Sequence, residues 1–383
     1  MNASADEFRN QPTVAQPEPK LARYFIAMTK AEASDLYLKS GSPAHFRVGT
    51  VMHAVRGDAL GEADVVSIAE ELLRGKDKQR QEMADYGGVD LAYQIKGGDR
   101  FRINIYRERG RISVAVRRVT RDIPDFETLH LPAVLARITE HTQGLILVSG
   151  PTGGGKSTTI ASMLELINKT RACHIVTIED PIEYLYEDKK AIVSQREVGI
   201  DVPDFEIALR HLMRQAPDVV LVGEMRDHET FRTAVQAAET GHLVFGTIHA
   251  SQAPQTISRV LALFPVEGRG LIRQSLVHNL CAIICQRLLP SVLEDVDCVP
   301  AVEILTANPA VRKYIQDGKE GELADVIRSE AREGMQTFSM SLLELIEKDY
   351  VAPAAAYEAA PNPEELKMLV RGITSGHIGR PGR

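Results

Sequence analysis

Tryptophan is absent from this chain of 383 residues, and aromatic residues as a whole make up only 5% of it. Long apolar runs are also missing. The longest, such as 145–148 and Val219–Val222, are far shorter than the roughly 20 residues that a membrane-spanning helix needs. The first 20 residues, MNASADEFRNQPTVAQPEPK, contain no apolar core region and so do not fit a secretory signal. These absences predict a cytoplasmic protein.

Cysteine is scarce, and its spacing excludes two common kinds of site. The four cysteines, Cys173, Cys281, Cys285 and Cys298, form no C-x-x-C pair, so neither a zinc ribbon nor a thioredoxin-like centre is predicted. In a cytoplasmic protein such residues stay reduced and usually pack as small apolar side chains. We therefore expect free, buried thiols.

Positive charge is in deficit as well, with 45 lysines and arginines against 52 aspartates and glutamates and a formal net charge of −7. A net negative chain has no general attraction for nucleic acid, although a local basic patch remains compatible with binding. A nucleic-acid translocase would also need a basic or aromatic channel surface. No nucleic-acid partner is therefore predicted.

The length suits two domains, and the sequence pattern changes near residue 121. Residues 1–20 are polar and contain proline, which is typical of a disordered tail. Residues 21–121 combine two helical patterns with alternating strand patterns and predict a small α/β domain. Residues 122–128, with a proline among them, are predicted as a linker, and residues 129–383 as the second domain.

The second domain begins with alternating strand and helix patterns. Its predicted strands are continuously apolar, which indicates a parallel sheet covered on both faces. After Ser251 the pattern is mostly helical to the end of the chain. The predicted fold class is therefore α/β with a helical C-terminal region.

A phosphate-binding loop is predicted in this domain, because residues 150–157 fit G-x-x-x-x-G-K-[ST] between an apolar strand and a helix. Glycines allow backbone N–H groups to surround phosphate oxygens, and the helix N-terminus adds positive potential. Lys156 is expected to contact the β- and γ-phosphates and Ser157 to bind Mg²⁺. The predicted cofactors are ATP and Mg²⁺. The loop comprises Gly150, Pro151, Thr152, Gly153, Gly154, Gly155, Lys156, Ser157 and Thr158.

Carboxylates follow two further apolar strands. Glu224 follows Val219–Val222, and the cluster Glu179-Asp180-Pro-Ile-Glu183 follows another strand. Because the carboxyl ends of parallel strands meet at one edge of a sheet, both groups are expected to face the nucleotide. One carboxylate would organise the Mg²⁺ shell through water while the other orients the attacking water.

Two histidines, His242 and His249, bracket the predicted strand 243–247. Their spacing of seven places them at opposite ends of the strand, so a shared metal is not predicted. From the residues alone they are candidates for sensing the state of the nucleotide.

Four sequence blocks together resemble the type II/IV secretion ATPase superfamily, and most closely its type IV pilus retraction ATPases, the PilT-type twitching motility proteins. GPTGGGKST is similar to the Walker A motif of that family, TIEDPIEY to its Asp box, VGEMRD to its Walker B motif and AETGHLVFGTIHAS to its His box. Similar stretches continue from about residue 21 to GMQTFSMSL near the C-terminus. The resemblance implies a RecA-like P-loop ATPase domain and a smaller PAS-like N-terminal domain.

The resemblance also implies roles for particular residues. Glu183 would orient the attacking water, and Glu224 would act through the metal and its water shell. His242 and His249 would sense the nucleotide and couple it to the subunit interface. Arginines of the PAS-like domain would reach ATP held by a neighbouring subunit, and the matching residues are Arg102, Arg109 and Arg117.

The implied assembly is a homohexamer at the cytoplasmic face of the inner membrane. It would act on an inner-membrane pilus platform protein and associate with the membrane only through the pilus machine. Gly154 replaces the usual serine of the family, which should be tolerated because that position mainly supplies backbone. The C-x-x-C pairs of assembly motors are missing, so retraction is favoured. An accessory retraction motor, an assembly motor and a non-catalytic ATP-binding regulatory subunit remain alternatives.

Overall fold

The computed structural model describes residues 19–49, 51–95 and 98–372. The predicted disordered tail lies outside these residues except for its last two positions. By its internal contacts the chain divides into two compact units, Met1–Arg121 and Asp122–Arg383. Across the described ranges, no helix has the length and apolar character needed to cross a membrane.

The described part of the N-terminal unit forms one six-stranded sheet with three helices. Its elements are α1 (Pro19–Lys30), β1 (Asp35–Lys39), β2 (His45–Val48), β3 (Val51–Ala54), α2 (Glu62–Leu72), α3 (Asp77–Tyr86), β4 (Gly88–Gln94), β5 (Arg100–Glu108) and β6 (Arg111–Val119). The strand order is β3-β2-β1-β6-β5-β4, and all neighbours are antiparallel.

Alternation along β5 explains how this unit builds its core. Phe101, Ile103 and Ile105 are buried while the residues between them are partly exposed, as expected for a sheet with one covered face. Phe25 of α1 stacks on Phe101 with ring centroids 4.2 Å apart. Helix α3 had no apolar periodicity to predict it, because Met83 is its one buried residue.

The described part of the C-terminal unit forms a seven-stranded sheet with helices on both faces. Its strands are β7 (Gly144–Ser149), β8 (His174–Glu179), β9 (Ile192–Glu197), β10 (Val219–Val222), β11 (Leu243–Ile248), β12 (Leu280–Pro290) and β13 (Cys298–Thr306). Its α-helices are α4 (Val134–Ile138), α5 (Lys156–Thr170), α6 (Phe205–Leu212), α7 (His228–Glu239), α8 (Ala253–Ala262), α9 (Arg269–Asn279), α10 (Pro309–Gln316), α11 (Leu323–Ser329), α12 (Phe338–Glu347), α13 (Pro353–Ala359) and α14 (Pro363–Val370).

The sheet order is β13-β12-β7-β11-β10-β8-β9, and every pairing is parallel except that of β12 with β13. Each residue of β7, β10 and β11 is buried. Leu145 and Leu147 of β7 pack into one hydrophobic cluster, and Ile146 and Val148 pack into another. The sheet is therefore covered on both faces, and the predicted α/β class is confirmed.

The prediction of a mostly helical chain after Ser251 is wrong for β12 and β13. The eleven residues of β12, LCAIICQRLLP, form a short apolar run of a kind that periodicity alone cannot assign to helix or strand. Pairing with β7 on one side and β13 on the other decides the matter. The helical elements α10 to α14 follow these two strands.

The four cysteines are free thiols, as expected. Cys285 is fully buried, and burial raises the pKa of its thiol to about 12. Cys298 is exposed, at the start of β13, so the expectation of burial is wrong for this residue.

Candidate functional site

Four neighbouring parallel strands end at the same edge of the C-terminal sheet. In the order β7, β11, β10 and β8, their registers pair Ser149 with Ile248 and Val222 with both Gly246 and Ile178. The chain leaves this carboxyl-terminal edge in the phosphate loop, at His249, at Glu224 and in the segment after Glu179. The structure thus brings the four predicted motifs to one edge of a single sheet.

The phosphate loop has a backbone that glycine permits. Gly150, Gly153 and Gly155 have φ angles of 150°, 77° and 79°, a region that side chains disfavour. Gly155 immediately precedes α5 in the left-handed conformation. The N-terminal end of this helix therefore opens into the loop, which is the arrangement that binds anions.

Lys156 supplies a cation inside the loop. Its Nζ donates hydrogen bonds to the carbonyl oxygens of Gly150 at 3.0 Å and Pro151 at 2.9 Å. Burial lowers the pKa of Lys156, and the negative charge of Glu224 opposes that shift. Ser157 is exposed, and the Thr158 hydroxyl lies 2.9 Å from that of Tyr184.

Glu224 is held by two partners. Arg226 Nη2 donates to Glu224 Oε2 at 2.6 Å, and His249 Nε2 lies 3.0 Å from Oε1. The hydrogen bond from Arg226 is the largest cause of the lowered pKa of Glu224. This carboxylate therefore stays charged at neutral pH, and His249 is adjacent to it.

The residues present fit Mg²⁺ that arrives with a phosphate group. Ser157 offers a hydroxyl and Glu224 a charged carboxylate at the same sheet edge. Within the described ranges, no three or more histidine, cysteine, aspartate or glutamate side chains cluster as a metal cage. Mg²⁺ characteristically keeps waters and uses substrate phosphates with few protein ligands, and one hydroxyl with one carboxylate matches that requirement.

The two glutamates of the acidic segment, which begins at the last residue of β8, lie in different environments. Glu179 is only 8% exposed and accepts hydrogen bonds from Thr177 Oγ1 at 2.6 Å and Gln195 Nε2 at 3.3 Å. Burial raises the pKa of Glu179 to about 7. Glu183 is exposed, and its backbone N–H donates to Glu179 Oε2 at 3.4 Å. The side chain of Glu183 is thus exposed to solvent, whereas the buried carboxylate of Glu179 hydrogen-bonds to the backbone of the segment.

The two histidines lie at opposite edges of the sheet. His249 follows the carboxyl end of β11, whereas His242 precedes its first residue. His242 Nδ1 lies 2.9 Å from the carbonyl oxygen of Ala237, at the end of α7. Within its own subunit, His242 is therefore far from the phosphate loop.

The three predicted arginines of the N-terminal unit do not all lie together. Arg102 of β5 pairs with Arg117 of β6, and Arg117 Nε donates to Asp35 Oδ1 at 2.8 Å. Asp35 is 5% exposed and also lies 3.3 Å from Arg47 Nε. A row of charged residues thus crosses the neighbouring strands β2, β1, β6 and β5, and Asp35 lies between Arg47 and Arg117 in it.

Arg109 lies at the other end of this hairpin, in the turn between β5 and β6, with a φ of 52°. Seven residues of extended strand, roughly 23 Å, separate it from Arg102. It lines a pocket of about 320 Å³ together with Lys39, Ser40, Glu108, Arg111 and Ser113. Arg102 and Arg117 are therefore cross-strand neighbours, whereas Arg109 is distant from both.

Sequence reasoning missed Arg226 and Asp35 as partners of the predicted site residues. The signal for Arg226 was its place two residues after Glu224 at the end of a buried strand. The signal for Asp35 was a charged residue directly before the apolar residues of a strand. Asp35 is 82 residues from Arg117 in sequence, so only strand pairing brings them together.

The sequence matches the family model described as type II/IV secretion system protein over residues 18–336. It is 39% identical to the type IV pilus retractation ATPase PilT of Pseudomonas aeruginosa over 337 residues, which are 88% of this chain and 97% of that protein. It is 34% identical to the type IV pilus ATPase PilU of the same organism over 345 residues, 90% and 89% of the two chains.

A solved structure is similar over the same extent. The crystal structure of the pilus retraction motor PilT with bound ADP has a TM-score of 0.84 to this chain at 39% identity. The superposition covers 91% of this chain and 99% of that one. The similarity therefore includes both units and the strands that carry the phosphate loop.

Proposed function

This chain belongs to the type II/IV secretion system protein family, and on that basis we propose that it is an ATP-hydrolysing motor subunit that powers retraction of a type IV pilus. The observation that carries the proposal is the meeting of the phosphate loop with Glu224 and His249 at one sheet edge. Relatives named for pilus retraction, similar over nearly their full length, support the direction of movement.

The phosphate loop binds ATP through its backbone N–H groups and the N-terminal end of α5. Lys156 exchanges its two loop carbonyl partners for the β- and γ-phosphate oxygens, which are stronger acceptors because they are charged. The ammonium group of Lys156 is therefore hydrogen-bonded both with and without nucleotide. Tyr184 holds Thr158 and thereby links the loop to the acidic segment.

Mg²⁺, when bound with ATP, neutralises charge that develops on the transferring phosphoryl group. Ser157 would ligate the metal, and Glu224 would act on its water shell. Arg226 and His249 keep Glu224 charged and oriented. Because His249 contacts this carboxylate, it senses whether Glu224 interacts with the water shell of the metal. Glu183, exposed at the end of the acidic segment, orients the attacking water.

The working form is a homohexamer that acts on a platform protein at the cytoplasmic face of the inner membrane. In this ring Arg102 and Arg117 approach ATP bound by a neighbouring subunit, where a guanidinium stabilises the charge of the transition state. His242, at the opposite sheet edge from its own phosphate loop, is assigned to a subunit contact.

The test is ATPase turnover measured against protein concentration, with particle mass from light scattering on the same samples. Turnover per subunit should rise as hexamers form, because each site then gains its neighbour's arginines. Twitching motility of a strain lacking the chain should return when the wild-type chain is supplied.

Glu224→Ala is the matched control, since it keeps the phosphate loop and should still bind nucleotide while losing turnover and motility. Turnover that is independent of assembly would remove the composite site from the proposal. Absence of turnover at every concentration would favour the regulatory subunit instead.

A further inference from the structure

Gln286 lies outside the four motifs, yet it contacts the phosphate loop directly. It belongs to β12 and follows Cys285, the residue that pairs with Ser149 at the end of β7. Gln286 is only 2% exposed. Because a buried primary amide is costly unless its donor and acceptor are satisfied, its partners indicate what the side chain does.

The two ends of the Gln286 amide bond the loop and the helix that follows it. Nε2 donates to the carbonyl oxygen of Gly154 at 2.9 Å. Oε1 accepts from Thr159 Oγ1 at 2.7 Å, and Thr159 is 1% exposed in the first turn of α5. One buried side chain therefore ties the loop to the helix whose N-terminus completes the anion site.

The bond to Gly154 sets the direction of a peptide group. In a trans peptide the C=O and the following N–H point in opposite directions. Since the Gly154 carbonyl is turned toward Gln286, the N–H of Gly155 is turned away from it. That N–H is one of the donors that an anion-binding loop must present.

The glycines of the loop leave room for this contact. A Cβ added at Gly155 would lie 2.5 Å from Gln286 Nε2, and one at Gly150 would lie 2.3 Å from the Gln286 carbonyl oxygen. Real Cβ atoms do not approach other atoms so closely. The glycines at these positions thus serve close packing against Gln286 as well as unusual backbone angles.

The end of β12 is itself anchored to the C-terminal helices. Arg287 Nη1 donates to the carbonyl oxygen of Ala359 at 2.7 Å, and its guanidinium lies 5.0 Å from the ring centroid of Phe338. Gln286 therefore approaches the loop from a strand that is paired with β13 at this point and anchored through Arg287 to helices α12 and α13.

We propose that Gln286 is a positioning residue that holds the phosphate loop in its anion-binding conformation. The inference rests on the proposed function, because it requires that the loop bind nucleotide. It predicts that loss of the amide weakens nucleotide binding in a protein that is still folded.

The experiment measures the Kd of a fluorescent ADP analogue, together with the thermal midpoint, for the full chain. Gln286→Met keeps the length of the side chain and removes both hydrogen bonds, so the Kd should rise about tenfold. Gln336→Met is the matched control. It removes a similar bond, from Nε2 to the carbonyl oxygen of Val302 at 2.7 Å, the residue of β13 that pairs with Gln286, and it leaves both bonds of the Gln286 amide in place. It should lower the midpoint without changing the Kd.

A second pair of variants tests the other end of the amide and covers the case in which Gln286→Met does not fold. Thr159→Val removes the hydroxyl bonded to Gln286 and should also raise the Kd. Thr159→Ser keeps a hydroxyl and should bind the analogue with the wild-type Kd. Folded Gln286→Met and Thr159→Val proteins that bind the analogue as tightly as wild type would overturn the inference. A wild-type protein that binds no analogue, or a Lys156→Ala variant that binds equally well, would instead overturn the proposed function.

Discussion

Burial changes the chemistry of Glu179 more than that of its exposed neighbour Glu183. Glu179 lies beneath the segment that carries Glu183 and holds it through the Glu183 backbone N–H. Its hydrogen bonds from Thr177 and Gln195 favour the charged form, but burial outweighs them and raises the pKa to about 7 from an ordinary 4.5.

This raised pKa predicts a dependence of stability on pH. Between about 4.5 and 7 the folded state binds a proton at Glu179 that the unfolded state does not, so this group's contribution to stability falls as pH rises through that range. Glu179→Gln removes the effect. The unfolding free energy of wild type relative to this variant should therefore fall between pH 4.5 and 8, by up to roughly 3 kcal/mol.

Urea unfolding of both proteins at several pH values measures this difference. Glu303 is also buried with a raised pKa, and comparison of the two proteins cancels its contribution. Glu183→Gln, which removes a carboxylate from the exposed side of the same segment, is the control. If the free energy of unfolding changes with pH in the same way for wild type and Glu179→Gln, Glu179 does not titrate in this range.

At the scale of elements, the chain after β10 shows how one short loop serves two purposes. Glu224 and Arg226 form the charged pair of the site, and Asp227 follows them directly. The backbone N–H of Thr230 donates to Asp227 Oδ1 at 2.8 Å, and the Thr230 hydroxyl donates to Oδ2 at 2.9 Å. Asp227 is therefore the N-cap of α7, although it lies in the same acidic motif as Glu224.

This arrangement predicts that Asp227 stabilises a helix and takes no part in turnover. Asp227→Ala should cost about 1 kcal/mol, or roughly 2–4 °C in thermal midpoint for a domain of this size, with ATPase activity within about twofold of wild type. Asp227→Asn keeps a capping oxygen and should lose little stability. Calorimetry and a turnover assay on both variants check this. Loss of turnover in Asp227→Asn without loss of stability would contradict the capping role.

At the scale of the whole molecule, the separation of the predicted arginines limits how subunits can cooperate. Arg102 and Arg117 are paired across two strands, whereas Arg109 lies in the turn at the other end of the hairpin. Arg117 is also bonded to the buried Asp35. Arg102 lies beside Arg117 on this sheet, away from the turn that carries Arg109, and we expect it to contribute to a neighbour's site.

Arg102→Ala should lower turnover of the assembled ring by about a hundredfold or more. Arg109→Ala, which removes the same charge from the distant turn, should lower it far less. Turnover by both variants at a concentration where light scattering shows hexamers is the measurement. Equal losses in the two variants would remove the distinction that the hairpin geometry makes.

Mixing two inactive variants tests whether Arg102 acts on a neighbour. Lys156→Ala subunits keep Arg102 but cannot bind phosphate, whereas Arg102→Ala subunits keep the phosphate loop. In rings mixed at random in equal amounts, about one site in four combines an intact loop with a neighbour's arginine. Turnover should return to about a quarter of the wild-type value. No recovery in verified mixed rings would place the arginine's action within one subunit.

The sequence by itself determined the local features that depend on neighbouring residues. The phosphate loop followed from glycines between an apolar strand and a helix, and the alternation of strands and helices in the second domain followed from its sequence pattern. The parallel sheet followed from continuously apolar strands. Glu224 and His249 were identified because each follows such a strand.

Tertiary structure alone decided the features that depend on distant parts of the chain. An apolar run such as β12 becomes a strand because β7 and β13 supply its hydrogen bonds, and no local pattern encodes those partners. Packing decided which of two nearby glutamates is buried, and strand register decided which arginines lie side by side. Gln286 became recognisable for the same reason, since it meets Gly154 across 132 residues of sequence.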